Sequence, residues 1–429
     1  MNVTPLTYYQ KNNPKINILV SLCLCLSIGS FFIIGKGHNI AGFFLIIPAI
    51  LFIYPIKISE LPNKFWVLTV IFFTFITIIT LSILIKGGKL SYIDQPSRFI
   101  ISLLIIVLLL KYPPKLIWVM LGTTIASFTG FAIAIIQTQK YNEIRAFTNI
   151  PSIPWFKGYM PIQDGDMITT IGLISACFSF YFIKTRNYPL FILSLASVVL
   201  GLSSSILSGS RGAWIILPII FIYLIYCNKQ FFINKKVCLL SLVTIGIVIV
   251  GIGQSQNFES RLTSAVNDIN QFDRGNPETS LGVRLALWES AILTTKEYPL
   301  FGAGYIQRVE SRKVQIETGQ IPKIENVWIP MHAHNQFLEY LSVFGIVGLC
   351  AFFAVFFYPL YLFSKLDTRS LEQETLKQCG VIHILSTMGY CLTQSFFAHN
   401  SGAIFYPLIL AVFLITSGAI KLKIPKGNL

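Results

Sequence analysis

Charge is scarce in this 429-residue chain: only 12% of its residues are Asp, Glu, Lys or Arg, against roughly a quarter in soluble domains. With 54% hydrophobic residues and a mean hydropathy of +0.68, a soluble fold is excluded, because too little polar surface remains to cover such a core. A phosphate-binding loop of the nucleotide type, a Gly-x-Ser-x-Gly elbow and an acidic pair with metal spacing are all missing. Energy from nucleotide hydrolysis therefore has no foothold. The eight cysteines fall within or at the ends of apolar runs, with no zinc spacing and no disulfide framework, so they read as small packing residues. The weak ten-residue alternation of an outer-membrane barrel does not occur either.

What the chain does have is long apolar runs. A bilayer core about 30 Å thick needs about 20 apolar residues per helix, and twelve candidate spans recur near 16–35, 38–56, 65–85, 99–110, 114–136, 167–183, 188–207, 213–227, 236–253, 336–363, 379–398 and 403–420. Backbone amides in hydrocarbon must be paired internally, so these are expected to be helices. The first run follows a polar start with no small-residue cleavage site in view and reads as a retained helix. The expected architecture is an all-α polytopic membrane protein of about twelve transmembrane helices: nine in residues 1–253, one large loop with amphipathic helices at 254–335, and three more with a tail in 336–429.

Orientation follows from Lys and Arg. With the N-terminus inside, the inner segments carry seventeen basic residues and the short outer loops eight, the asymmetry of cytoplasmic loops. Both termini are expected in the cytoplasm and the long loop outside. The net charge of +15 is then mostly topology signal that suits anionic membrane lipid, and gives no support to nucleic-acid binding.

Three polar motifs sit at the expected outer face. Leu207-Ser208-Gly209-Ser210-Arg211-Gly212 places an arginine between glycines that permit close backbone approach; it suits a diphosphate, although an interfacial anchor snorkelling to headgroups would look the same. Arg284 lies in an amphipathic segment, Leu281 to Leu293, whose Leu285, Trp288 and Ile292 form an apolar stripe. That stripe predicts a helix on the bundle mouth with Trp288 at headgroup level, and spacing alone makes Arg284 a solvated residue. Third is Pro330-Met331-His332-Ala333-His334-Asn335 before the tenth span. A histidine there can take a proton from a sugar hydroxyl, cap the helix, or share a metal, although the usual i, i+4 pairing is missing. His399-Asn400 and His38-Asn39 could line the same mouth, Asp164-Gly165-Asp166 could hold an arginine or meet a sugar, and His383 reads as an interhelical hydrogen-bonding residue.

Taken in order, Ser208 to Gly212, Thr279 to Trp288, His332 to Glu339 and Gly345-Ile346-Val347-Gly348-Leu349 resemble the O-antigen ligases of Gram-negative bacteria, and Arg261 to Asn270 is similar to the enterobacterial members. The resemblance runs over essentially the whole chain. It implies a fold similar to other polytopic, GT-C-like, lipid-linked glycosyltransferases, and a metal-independent, cofactor-free, inverting transfer. O-antigen would pass from undecaprenyl diphosphate to a lipid A-core sugar at the periplasmic face of the inner membrane. Carried over by motif, Arg211 and Arg284 would clamp the diphosphate with Ser210, and His334 would deprotonate or orient the acceptor hydroxyl. His332, Asn335, His399 and Asp166 are additional candidates. Ser395 to Asn400 lacks the acidic residue or arginine that some members carry. The rivals are an O-antigen polymerase, usually with two sizeable outer loops, a protein O-oligosaccharyltransferase, usually longer, and a transporter, which would show internal repeats and midplane charges.

Overall fold

The computed structural model describes residues 13–33, 35–54, 56–150, 158–232, 278–324 and 332–423, together with positions 263, 267, 268, 270 and 271. The expected ninth span, most of Arg261 to Asn270, and Pro330-Met331 lie outside the described residues. Within them the regular structure is helical throughout: α1 Pro14–Gly29, α2 Gly37–Phe52, α3 Asn63–Lys86, α4 Asp94–Lys111, α5 Leu116–Ile135, α6 Pro161–Lys184, α7 Tyr188–Ser208, α8 Gly212–Ile215, α9 Leu217–Cys227, α10 Ser280–Glu297, α11 Gly304–Glu317, α12 Gln336–Ser364, α13 Leu371–Thr393 and α14 Asn400–Thr416. Seven helical segments are long and apolar enough to cross a bilayer, and α2, the α8–α9 pair and α14 are shorter apolar helices. The chain is a multi-pass membrane protein.

Several helices start earlier than hydropathy alone predicts. α4 begins at Asp94, not near 99, because Asp94 sits in its first turn and pairs with Arg98 at 2.8 Å. α6 begins with Pro161 in the first turn, and Asp164 accepts a bond from Tyr159 N at 2.9 Å. α13 opens under a Ser370 cap with Glu372 and Glu374 in its first turn, eight residues before its apolar run. In each case the first turn is polar. The eighth span is divided at Ile216, just ahead of Pro218, into α8 and α9.

Small residues let the helices approach closely. α6 and α7 meet at Gly172 and Gly201, with Thr169 Oγ1 bonded to Ser205 Oγ at 2.6 Å and Ser179 Oγ to Ser194 Oγ at 3.1 Å, the packing expected where hydrocarbon removes any hydrophobic drive between helices. Aromatic rings fill the centre. Phe75 of α3, Phe99 of α4, Phe352 and Phe356 of α12, Phe397 in the turn before α14, and Tyr406 of α14 form a chain of ring contacts 5.0–5.9 Å apart. His383 of α13 bonds the Tyr406 carbonyl at 2.9 Å, an interhelical contact as the sequence suggests.

The long α12 is broken once, at Gly345, whose φ of 68° and ψ of −168° are not helical. A break frees backbone amides that need partners. They are supplied by the turn between α10 and α11: Ile346 N donates to Pro299 O at 2.9 Å, Val347 N to Leu300 O at 3.2 Å, and Ala303 N donates back to Ser342 O at 2.9 Å. Lys86 at the end of α3 binds the Phe301 and Gly302 carbonyls at 2.6 and 2.5 Å. The α10–α11 turn is thus hydrogen-bonded into the helix it precedes.

A side chain at 345 would meet the Leu300 carbonyl and Gly302 N head-on. Gly345→Ala is expected to lose about 3 kcal/mol of stability, from left-handed strain plus the overlap. Gly319→Ala, at a φ of 73° with nothing near the added carbon, is expected to lose only about 1 kcal/mol. Thermal unfolding of the two variants in detergent checks the difference; equal losses would mean that the loop is not seated on the break.

Candidate active site

The helix ends fall into two sets. At one end Lys111 binds the Phe52 and Tyr54 carbonyls, Lys64 binds Ala419 O, Lys184 binds Asn228, and Lys423 N reaches Glu60 O. At the other end lie the start of α2, the segments 137–150 and 158–160, the turn 208–212, the α10–α11 pair, residues 332–335 and the turn 394–399. Every candidate residue named from the sequence lies at this second end.

The histidine segment is held from three sides. Asn335 is the N-cap of α12, its side chain accepting from Phe337 N at 3.0 Å and Leu338 N at 3.1 Å, so the capping role belongs to Asn335 and not to a histidine. Ala333 N donates to Glu339 Oε2 at 2.8 Å, and Ala333 O accepts from Trp288 Nε1 at 2.9 Å. His334 between these anchors adopts a φ of 50°, a left-handed conformation that costs about 1–2 kcal/mol for a residue with a side chain. Its ring lies 4.5 Å from that of His332, and His332 lies 5.9 Å from His399. Tyr159 links His399 to His38, with ring distances of 6.4 and 4.8 Å.

Burial keeps these imidazoles neutral. His334 is pushed down to about 4, first by loss of water and then by His332, with the Gln394 bond opposing and the Arg284 charge adding to the fall. His399 is likewise pushed down to about 4 by burial and by His332 and His334. Both are free bases at neutral pH.

The two candidate arginines face the same region. Arg284 of α10 is half-buried, and its charged form is disfavoured by burial and then by the neighbouring Arg211, with only Asp166 offsetting this. Among the described residues neither Arg211 nor Arg284 forms an ion pair. Arg211 is exposed at the start of α8, on a turn held by others. Gly209 caps α7 at a φ of 65°, Arg145 binds the Ser208 carbonyl at 2.8 Å and that of Gly209 at 3.4 Å, and Ala146 N donates to Leu207 O at 2.9 Å. Ser210 is buried and its hydroxyl donates to Asp166 Oδ1 at 2.6 Å. That hydroxyl is held by a carboxylate and shapes the turn that carries Arg211. Among the described residues Asp166 Oδ2 and His332 Nδ1 are buried with no hydrogen-bond partner.

The helix carrying Arg284 packs differently from its expected stripe. Its buried face is Ala286, Leu287, Ser290, Ala291 and Thr294, while Ile292 is 45% exposed. Trp288 is not a headgroup anchor but the donor to Ala333. α11 inverts the usual rule altogether, burying Arg308, Ser311, Arg312 and Gln315. Arg308 Nη1 lies 3.4 Å from Glu339 Oε2, and Arg312 Nε donates to Ser290 Oγ at 3.2 Å, which donates to Gln315 Oε1 at 2.6 Å. Glu339, Arg145, Tyr159 and Gln394 also belong to the site's frame and carried no signal of their own in the sequence. Among the described residues no three His, Cys, Asp or Glu side chains converge as a metal-ligand set.

Three further segments thus meet around the histidines: the turn after α7, the middle of the outer loop and the turn before α14. Known proteins have similar sequences. The sequence model of the O-antigen ligase family matches residues 196–353, a stretch that holds Arg211, Arg284 and His334 together. An uncharacterized protein of Haemophilus influenzae is 30% identical over 409 residues, spanning 93% of this chain and 98% of that protein. An O-antigen ligase of Escherichia coli is 26% identical over 216 residues, 49% of each chain. With the ordered motifs, the family match over residues 196–353 and the Escherichia coli relative in agreement, the chain belongs to the O-antigen ligase family.

Proposed function

We propose that this protein is a glycosyltransferase that joins an O-antigen polysaccharide, carried on undecaprenyl diphosphate, to a sugar of lipid A-core at the periplasmic face of the inner membrane. The observation that carries the reading is the pair Arg211 and Arg284: two neighbouring cations that form no ion pair among the described residues, beside a neutral imidazole. Two such charges suit a ligand with two negative charges. A diphosphate ester satisfies that requirement and presents paired oxygens to a planar guanidinium fork, which an ammonium cannot match.

The chemistry needs little else. The acceptor hydroxyl oxygen attacks the anomeric carbon of the donor while the bond from that carbon to the diphosphate oxygen breaks. The leaving diphosphate gains charge, which the two guanidinium groups stabilise more strongly as it grows. His334 receives the hydroxyl proton, and the arriving diphosphate offsets the Arg284 charge that otherwise weakens this base. Attack from the face opposite the leaving group inverts the anomeric centre.

Arg211→Lys and Arg284→Lys are each expected to cut transfer about 100-fold, equivalent to about 3 kcal/mol at the transition state. Transfer by purified protein from lipid-linked polymer to lipid A-core measures this, and full activity in either variant would remove that residue from the clamp. His334→Ala is expected to be inactive while His332→Ala keeps substantial activity; the reverse order would reassign the base. Electrophoresis of lipopolysaccharide from a deletion strain separates the family's activities. A bare core beside retained lipid-linked polymer supports ligation, whereas a core capped with one repeat unit would identify a polymerase.

A further inference from the structure

Gln394 lies at the end of α13, in extended backbone with φ −147° and ψ 147°, and its side chain is fully buried. It touches two of the three clustered histidines at once. Its Oε1 is 3.2 Å from His334 Nδ1, and its Nε2 is 3.3 Å from His399 Nε2. A primary amide has one accepting end and one donating end, so it cannot treat the two rings alike. The oxygen accepts, hence His334 carries its proton on Nδ1 and leaves the lone pair on Nε2. The amide nitrogen donates, hence His399 Nε2 is bare and its proton sits on Nδ1.

We propose that Gln394 is a positioning residue that fixes the tautomer of His334, turning Nε2 towards the acceptor hydroxyl as the proton-accepting atom, and that it locks His399 as the neutral far end of the same bridge. The inference rests on the ligase reading for its chemistry, but the bridge itself is geometry. In a left-handed backbone the His334 ring has few ways to turn, and the bond to Gln394 selects among them. A neutral amide differs here from the carboxylate that orients many catalytic histidines, since it orders the ring without adding charge. The groups facing His334 are His332 and Glu339 from its own segment and α12, Arg284 from α10, and His399 across the bridge through its contact with Gln394. Gln394 supplies the orientation that none of the charged ones provides.

The test replaces the amide with groups of nearly the same shape. In Gln394→Glu a carboxylate beside the ring favours the imidazolium. The acid limb of the pH profile for transfer by the full-length protein is then expected to rise by about one pH unit or more. In Gln394→Leu the rate constant is expected to fall about tenfold or more with the donor KM changed by less than about twofold. A role confined to packing would leave the acid limb in place, and an active Gln394→Glu variant with an unmoved limb overturns the proposal. Should either variant fail to fold, nitrogen NMR of the wild-type protein carrying 15N-histidine decides. With the His334 signals assigned by their loss in His334→Gln, a protonated Nδ1 and bare Nε2 support the bridge, and a protonated Nε2 overturns it. Wild-type protein that shows this tautomer yet transfers no polymer would leave the bridge standing and refute the ligase reading.

Discussion

A backbone amide released from a helix needs a new partner, and the break at Gly345 turns that constraint into architecture. The amides released where α12 leaves helical geometry are taken up by the turn between α10 and α11. Because each unmade bond would cost on the order of 1–3 kcal/mol, the α10–α11 pair is not free to drift away from α12. It is fastened one helical pair away from the residues that matter, and Trp288 bonded to Ala333 fastens it again. The relation between Arg284 on the loop and His334 at the helix start therefore follows from backbone pairing in a different place.

The same loop treats its arginines in two ways. Arg308 and Arg312 are buried against Glu339, Ser290 and Gln315, where they hold α10, α11 and α12 as one unit. Glu339 is shared, accepting from both Arg308 and Ala333 N, so the frame of the loop and the frame of the histidine segment meet on one carboxylate. Among the described residues Arg284 and Arg211 form no ion pair, and only Asp166 offsets the repulsion that Arg284 feels. A half-buried guanidinium that feels a second cation is a standing cost, and a fold tolerates strain of that kind where a ligand relieves it.

The bundle was legible from hydropathy, since eleven of the expected runs coincide with described helices, and polar first turns explain the shifted starts at Asp94, Pro161 and Leu371. The meeting of Ser210, Arg211, Arg284 and His334 at one end could be read because their motifs are short, ordered and confined to alternate connections. What escaped reading depends on partners distant in the chain. Arg308 and Arg312 look like the solvated face of a polar helix until Glu339 is brought beside them. Trp288 looks like a headgroup anchor until the Ala333 carbonyl is within reach. Gln394 has no distinguishing neighbours at all, and only the approach of His334 and His399, sixty residues before it and five after it, gives it meaning. Periodicity records which face of a helix is apolar; it does not record which face the neighbouring helices cover, and here Ala291 lies inside and Ile292 outside.

The turn that carries Arg211 shows how a site can be rigid and still open. Arg145 occupies the Ser208 and Gly209 carbonyls, Gly209 supplies the left-handed cap, and Asp166 holds the Ser210 hydroxyl. Three neighbours are committed to the turn, so Arg211 itself need contribute nothing to it. Had Asp166 taken the guanidinium instead of the hydroxyl, an incoming anion would first have to break a buried ion pair, losing a few kcal/mol of its binding energy. By directing the carboxylate to a serine and a second arginine to the backbone, the fold keeps the cation in place without neutralising it. Electrostatic stabilisation of a departing anion is strongest under that arrangement, because nothing needs to reorganise when the charge develops.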